Sequence, residues 1–156
     1  MKTLIVYATK YGATQKISEG IASRIDSAEL HDINGNTQFS LADYDCVIIG
    51  SPLTAGMIRK EIKEFAGKNI NELKSKRLGI FVSGLQESGE EGYLKQNFPP
   101  ELLAEAKAKA FLGGIFDPEK CGRLARIAIK AASRLDKYTS TIDEEKIDRF
   151  ARQLVE

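Results

Sequence analysis

The chain reads as an α/β domain built on a doubly wound, five-stranded parallel sheet, and three observations predict this. Strand-like and helix-like segments alternate from end to end. Three of the strand-like segments, Leu4-Ile5-Val6, Val47-Ile48-Ile49 and Leu78-Gly79-Ile80-Phe81-Val82, are apolar without interruption, the pattern of strands covered on both faces. The intervening segments are long enough for helical crossovers, which are right-handed in parallel units and place helices on both sides of the sheet.

In order, strands are expected at residues 2–8, 28–33, 46–50, 77–83 and 110–116, and helices at 13–25, 58–68, 100–109, 119–136 and 142–155. In the first helix Ile17, Ile21 and Ile25 recur every fourth residue and define one apolar face. Pro100 suits the first position of its helix, where its missing N–H costs nothing. Thr141 followed by Glu144 reads as a capping box that opens the last helix. No repeat, low-complexity tract or linker interrupts the 156 residues, so residues 1–156 are read as one domain, large enough for a core.

Composition narrows the function classes. Charged residues make up 29% of the chain and apolar ones 42%, the balance of a soluble globular protein. A net charge of +1 gives no global attraction to nucleic acid. No apolar run approaches the roughly 20 residues that span a bilayer. The short run from Leu4 to Ala8 reads as a strand and not as a leader, so the expected location is the cytoplasm. Cys46 and Cys121 lack a C-x-x-C spacing and read as reduced structural thiols, in a buried strand and a helix respectively. His31 is the only histidine, which argues against a zinc or histidine-based catalytic centre. It is expected at the surface, as are Glu90 and Glu91. Asp143, Glu144 and Glu145 suit a helix's first turn.

The most informative stretch is Ile5-Val6-Tyr7-Ala8-Thr9-Lys10-Tyr11-Gly12-Ala13-Thr14. It passes from strand through a hydroxyl- and glycine-bearing turn straight into a helix. Free N–H groups at a helix start, reinforced by the helix dipole, make an anion site, and Thr9 and Thr14 can add hydroxyl donors. A phosphorylated cofactor is the expected ligand. The turn is neither a G-x-x-x-x-G-K-[ST] loop nor a G-x-G-x-x-G fingerprint. Two further loops follow strand ends: Gly50-Ser51-Pro52-Leu53-Thr54-Ala55-Gly56-Met57, and Ser83-Gly84-Leu85-Gln86-Glu87-Ser88-Gly89. In open α/β sheets ligands sit beyond the carboxyl ends of strands, so all three loops belong to one edge. No acid–base constellation accompanies them, and no catalytic residue is assigned.

This pattern resembles the phosphate loop of flavodoxins, which Ile5, Val6, Tyr7, Thr9, Gly12, Thr14 and Ile21 all fit; Ser18 stands where that signature has Ala. The flavodoxin sheet is itself a standing example of ligand binding at a switch point. The resemblance implies a flavodoxin-like, three-layer α/β/α domain with strand order 2-1-3-4-5. It also implies non-covalent FMN, held by Thr9, Lys10, Tyr11, Gly12, Ala13 and Thr14 at the phosphate. The ring would be met by Ser51, Pro52, Leu53, Thr54, Ala55 and Gly56, and by Ser83, Gly84, Leu85 and Gly89. Gly56 would offer a flexible peptide whose carbonyl accepts from the reduced N5–H. The usual ring-flanking aromatics are missing, and Tyr93 is the candidate to reach the ring.

An extra helix at 119–136 carries Lys120, Arg123, Arg126, Lys130, Arg134 and Lys137 at spacings of three or four, a basic stripe. Beside it run Leu124, Ile127, Ala128, Ala131 and Leu135. This helix, with the preceding Gly-Ile-Phe-Asp-Pro, resembles the flavodoxin-like menaquinone-dependent protoporphyrinogen IX dehydrogenases. Where that branch carries an insertion after the fourth strand, this chain has the shorter, acidic segment 86–99. Two readings of the helix stand side by side: packing on the domain through its apolar stripe, or contact with an acidic partner or an anionic membrane face. Three functions are compatible with these features. They are an FMN electron carrier between redox partner proteins, an FMN-dependent dehydrogenase acting with quinone or porphyrinogen, and a flavin-free binding module.

Overall fold

The computed structural model describes residues 1–35, 38–85, 89–133 and 135–156. Gln86, Glu87 and Ser88 of the third loop and Arg134 of the basic stripe lie outside the described residues. The chain runs β1 (Thr3–Tyr7), α1 (Ala13–Ala22), β2 (Ala28–Asp32), β3 (Cys46–Pro52), α2 (Lys60–Lys68), α3 (Ile70–Lys74) and β4 (Arg77–Ser83). It continues through α4 (Glu90–Asn97), α5 (Pro100–Glu105), β5 (Ala108–Phe111), β6 (Ile115–Phe116), α6 (Arg123–Ser133), β7 (Thr139–Ser140) and α7 (Glu144–Val155). Five strands pair in parallel in the order β2-β1-β3-β4-β5, which is the expected flavodoxin-like sheet.

The two-residue period of the strands divides the core. Leu4, Val6, Val47, Ile49, Leu78, Ile80 and Val82 face one side, where Ile62, Leu73, Leu94 and Leu102 from α2 to α5 cover them. Ile5, Tyr7, Cys46, Ile48 and Phe81 face the other, under Ile17 and Ile21 of α1 and Ile147, Phe150 and Leu154 of α7. Two glycines permit this packing. A Cβ on Gly79 would stand 2.9 Å from Leu154 Cδ1, and one on Gly50 would stand 2.1 Å from Phe81 Cζ.

Several element boundaries differ from the expectation. The fifth strand begins at Ala108, within the expected helix, and ends at Phe111. Ala and Lys favour a helix at 105–109, but parallel pairing with β4 overrides that weak preference. The strand stops because Gly113 has φ +89, a conformation only glycine adopts freely. Ile115 and Phe116 then pair antiparallel with Ser140 and Thr139. α1 ends at Ala22, three residues early, with Ile25 still buried in the turn that follows. The last helix is capped by Asp143, whose carboxylate accepts from Lys146 N, while Thr141 Oγ1 accepts from Gly114 N. α3 and α4 were not expected. Glu90 is not a solvated acid: its Oε1 accepts from Phe111 N at 2.7 Å and ties α4 to the end of β5.

The expected helix 119–136 is shorter as well, because 117–120 form a turn. Asp117 Oδ1 accepts from Glu119 N and Asp117 O accepts from Lys120 N, after Pro118 has excluded Asp117 from helical geometry. Cys121 is buried in this connection and not in a helix.

Candidate functional site

The sheet reverses its strand order between β1 and β3, and the loops after β1, β3 and β4 open into a cleft of about 550 Å³ beside that point. This is ordinary size for a small-molecule site.

The first wall is the turn into α1. Gly12 takes φ +96 as the residue before the helix, and no side chain caps α1. Lys16 N already donates to Gly12 O, so the N–H groups of residues 13–15 are the helix's unclaimed donors. Thr9 Oγ1 accepts from Gly12 N at 3.0 Å, which sets the turn and leaves the Thr9 proton to donate. Thr14 is committed elsewhere, because its Oγ1 shares a 2.8 Å hydrogen bond with Ser83 Oγ. That bond joins the first loop to the end of β4. Ser18, in place of the family's usual Ala, donates to Thr14 O at 2.8 Å and so buries its hydroxyl without loss. Lys10 lies 5.2 Å from the Tyr11 ring centroid, over its face.

The second wall is a tight turn. Thr54 and Met57 exchange backbone hydrogen bonds of 2.9 and 3.0 Å, and both central residues have positive φ, Ala55 at 51° and Gly56 at 77°. That is a type I′ geometry, natural for Gly56 and strained for Ala55. Asn97 holds the turn from behind. Its Oδ1 accepts from Ile58 N, and its Nδ2 donates to Gly56 O and Tyr93 O at 2.8 Å each. The Gly56 carbonyl is therefore engaged, and turning it toward the cleft means breaking the Asn97 bond. Tyr93 packs across this turn, with Cε1 3.4 Å from the position of a Gly56 Cβ.

The third wall joins Ser83, Gly84 and Leu85 to the segment after β5. Gly84 N donates to Gly113 O at 3.0 Å, and a Cβ on Gly114 would stand 2.6 Å from Gly84 O. The two chains touch backbone to backbone here.

Of the residues expected from sequence, Thr9, Lys10, Tyr11, Ala13 and Thr14 line the cleft, as do Pro52, Leu53, Thr54, Ala55 and Gly56, and Ser83, Gly84 and Leu85. Gly12, Ser51 and Gly89 shape it from outside. Ser51 is fully buried, and its Oγ accepts from Arg59 N and donates to Pro52 O. Gly89 starts α4 with φ +89, beside the Tyr93 ring. Phe111, Gly114, Ile115, Ala125, Ala128 and Ile129 also line the cleft, and none of them was assigned to it from the sequence. The one signal was the apolar stripe, which offered Ala128 for packing on the domain but grouped it with Leu124 and Ile127. The structure turns those two outward, 82% and 60% exposed, and leaves Ala125, Ala128 and Ile129 to roof the cleft.

Among the described residues lining the cleft, Lys10 carries the one charge, and no carboxylate, imidazole or thiol faces it. The donor set suits a phosphate at the α1 end and a flat, neutral, hydrogen-bonding ring along the rest. The cysteines stand apart. Burial pushes the Cys46 thiol up to about 11.

A sheet of this order, with an uncapped helix start at its switch point and three loops around one cleft free of described carboxylates, defines a flavodoxin-type domain. The chain belongs to the flavodoxin domain family, whose match covers residues 4–143. Its relatives include the protoporphyrinogen IX dehydrogenase (quinone) of Escherichia coli K12, 23% identical over 177 aligned residues that span 99% of this chain and 94% of that protein. Oxidised flavodoxin 2 from Bacillus cereus superposes with a TM-score of 0.62 at 20% identity, over 99% of this chain and 98% of that one. A flavoprotein in complex with FMN from Lactobacillus acidophilus NCFM gives 0.51 at 22% identity, over 70% and 92%. At these identities the two structural likenesses establish the fold.

Proposed function

We propose that this chain holds FMN in the cleft and carries electrons between redox partner proteins. The observation that carries this reading is the uncapped start of α1 at one end of a cleft whose other walls are neutral. In this assignment the phosphate meets the N–H groups of residues 13–15 and the Thr9 hydroxyl. Residues 52–56 and 83–85 line the ring, with Tyr93 at its side and Ala125, Ala128 and Ile129 above it. Bound flavin supplies the redox chemistry; the chain supplies binding, orientation and exclusion of water. A carrier needs no acid or base at the ring.

The test is the visible spectrum of the purified protein before and after incubation with FMN, followed by anaerobic reduction with dithionite. Flavin absorbance bands, and FMN identified by chromatography after heat release, support the assignment. A colourless protein that leaves FMN fluorescence unchanged refutes it and leaves a flavin-free binding module.

A second reading is favoured by one feature. Outside α6 lies a groove of about 590 Å³, in which Arg123, Arg126, Lys130 and Asp136 flank Phe116, Ile127 and Leu135. Three cations against one carboxylate leave a net positive rim around an apolar floor, which suits an apolar acid. Together with the full-length E. coli relative, this supports an FMN-dependent dehydrogenase working with quinone or porphyrinogen. Turnover in a quinone-coupled porphyrinogen assay that falls with Arg126→Glu supports this second reading. Absence of turnover returns the protein to the carrier role.

A further inference from the structure

We propose that Lys120 is a phosphate-binding residue of the cofactor cleft, reaching the phosphate loop from outside the sheet. The inference rests on the FMN reading above and deepens it. Flavin phosphate in this cleft meets backbone N–H groups and one free hydroxyl on the α1 side. Those groups orient a dianion without neutralising it. The nearest loop cation, Lys10, is parked over the Tyr11 ring.

Lys120 adds a second cation beside the phosphate end of the cleft, outside its lining. Its Nζ lies 3.8 Å from the point that a Cβ on Gly12 would occupy, directly beside the turn that starts α1. Among the described residues no other atom outside the adjoining residues comes within 4 Å of that point, so the absence of a side chain at residue 12 leaves the ammonium an open approach. No hydrogen bond or ion pair among the described residues occupies the ammonium.

The backbone that carries Lys120 is fixed, while its side chain is exposed. Asp117 fixes the turn through its Oδ1 and its carbonyl, and the next residue, Cys121, is 8% exposed and seats the connection against the domain. Arg123, Arg126 and Lys130 of α6 instead line the groove on the helix's far side. The basic stripe seen in sequence therefore divides. Lys120 turns toward the phosphate loop, and the later cations turn away. Because Lys120 stands three residues before α6, its bond to the phosphate would also seat the roof formed by Ala125, Ala128 and Ile129. Phosphate recognition and ring coverage become one event.

The test compares FMN with riboflavin, which has the same ring and no phosphate. Dissociation constants of the apoprotein are measured by flavin fluorescence quenching at low and at moderate salt. The proteins are wild type, Lys120→Met, Lys120→Glu and, as a control for net charge, Lys68→Met on the distant α2. A charge-assisted hydrogen bond to phosphate is worth about a tenfold change in affinity or more. The expected result is a loss of about tenfold for FMN in Lys120→Met and more in Lys120→Glu, with riboflavin affinity unchanged. The salt dependence of FMN binding should flatten in both variants, and Lys68→Met should match wild type. FMN affinity within twofold of wild type in both Lys120 variants overturns the proposal and leaves the FMN site standing. Equal losses for FMN and riboflavin also overturn it, since the residue then acts on the roof and not on the phosphate. A wild-type protein that binds no FMN removes the site itself, and Lys120's role with it.

Discussion

Asn97 is the point at which the cleft is most exposed to a single change. The side chain is 3% exposed and makes three hydrogen bonds, to Ile58 N at 3.0 Å and to Gly56 O and Tyr93 O at 2.8 Å each. Asn97→Ala removes all three. The buried Ile58 N–H is left without an acceptor, at a cost of about 1–3 kcal/mol, and each lost carbonyl bond contributes about 0.5–1.5 kcal/mol more. The sum is about 2–6 kcal/mol. For a domain of this size each kcal/mol moves the melting temperature by about 2–4 °C, so the variant should melt about 4–24 °C below wild type. Circular dichroism melting of the apoprotein measures this, and flavin titration of the same samples should show weaker binding, because the turn at 54–57 loses its anchor. Asn97→Asp separates the contributions. It keeps an acceptor for Ile58 N but aims a carboxylate oxygen at two carbonyls, so it should be at least as damaging near neutrality. A melting temperature within 2 °C of wild type for Asn97→Ala refutes the reasoning.

Gly50→Ala should lower stability by about 1–3 kcal/mol in urea unfolding, since the new methyl would stand 2.1 Å from Phe81 Cζ and push a ring already packed edge-on against Phe150; an unchanged midpoint refutes this. Burial holds the Cys46 thiol at about 11 in the folded chain against an ordinary 9.0, so the native state keeps the proton longer than the unfolded chain does. That stability is fully present below pH 9 and is lost as pH rises toward 11, amounting to about 3 kcal/mol, and Cys46→Ala should remove this part of the alkaline decline. Parallel stability curves for wild type and Cys46→Ala would contradict it. The exposed Leu124 and Ile127, flanked by Arg123, Arg126 and Lys130, should bind vesicles containing anionic lipid, and Leu124→Asp with Ile127→Asp should abolish the binding. Wild-type protein that stays in solution during vesicle flotation refutes that contact.

The sheet was legible because Leu4-Ile5-Val6, Val47-Ile48-Ile49 and Ile80-Phe81-Val82 face apolar cover on both sides, and burial of that kind leaves a continuous sequence signal. The start of α1 was legible because a tight strand-to-helix turn through a glycine at φ +96 needs particular residues in a particular order. The fifth strand was misplaced because its residues prefer a helix locally and are held by pairing with β4, which no local pattern records. Asn97 escaped notice because an amide that organises three loop atoms has no periodicity. The orientation of α6 stayed open in the sequence for a related reason. Two stripes on one helix are equally visible in sequence, and only the neighbouring Gly114 and Ile115 decide that Ala125, Ala128 and Ile129 face inward. Lys120 belonged to a stripe on paper, and the Asp117 turn detached it.

No described side chain of α6 is buried, whereas the strands beneath the cleft are almost wholly so. The cover of the cleft and its foundation therefore belong to different levels of local stability. Backbone amides of α6 should exchange with solvent orders of magnitude sooner than those of β1, β3 and β4. Traffic into and out of the cleft is then a matter of how often one weakly anchored helix lifts, while the scaffold that fixes the loops stays folded throughout.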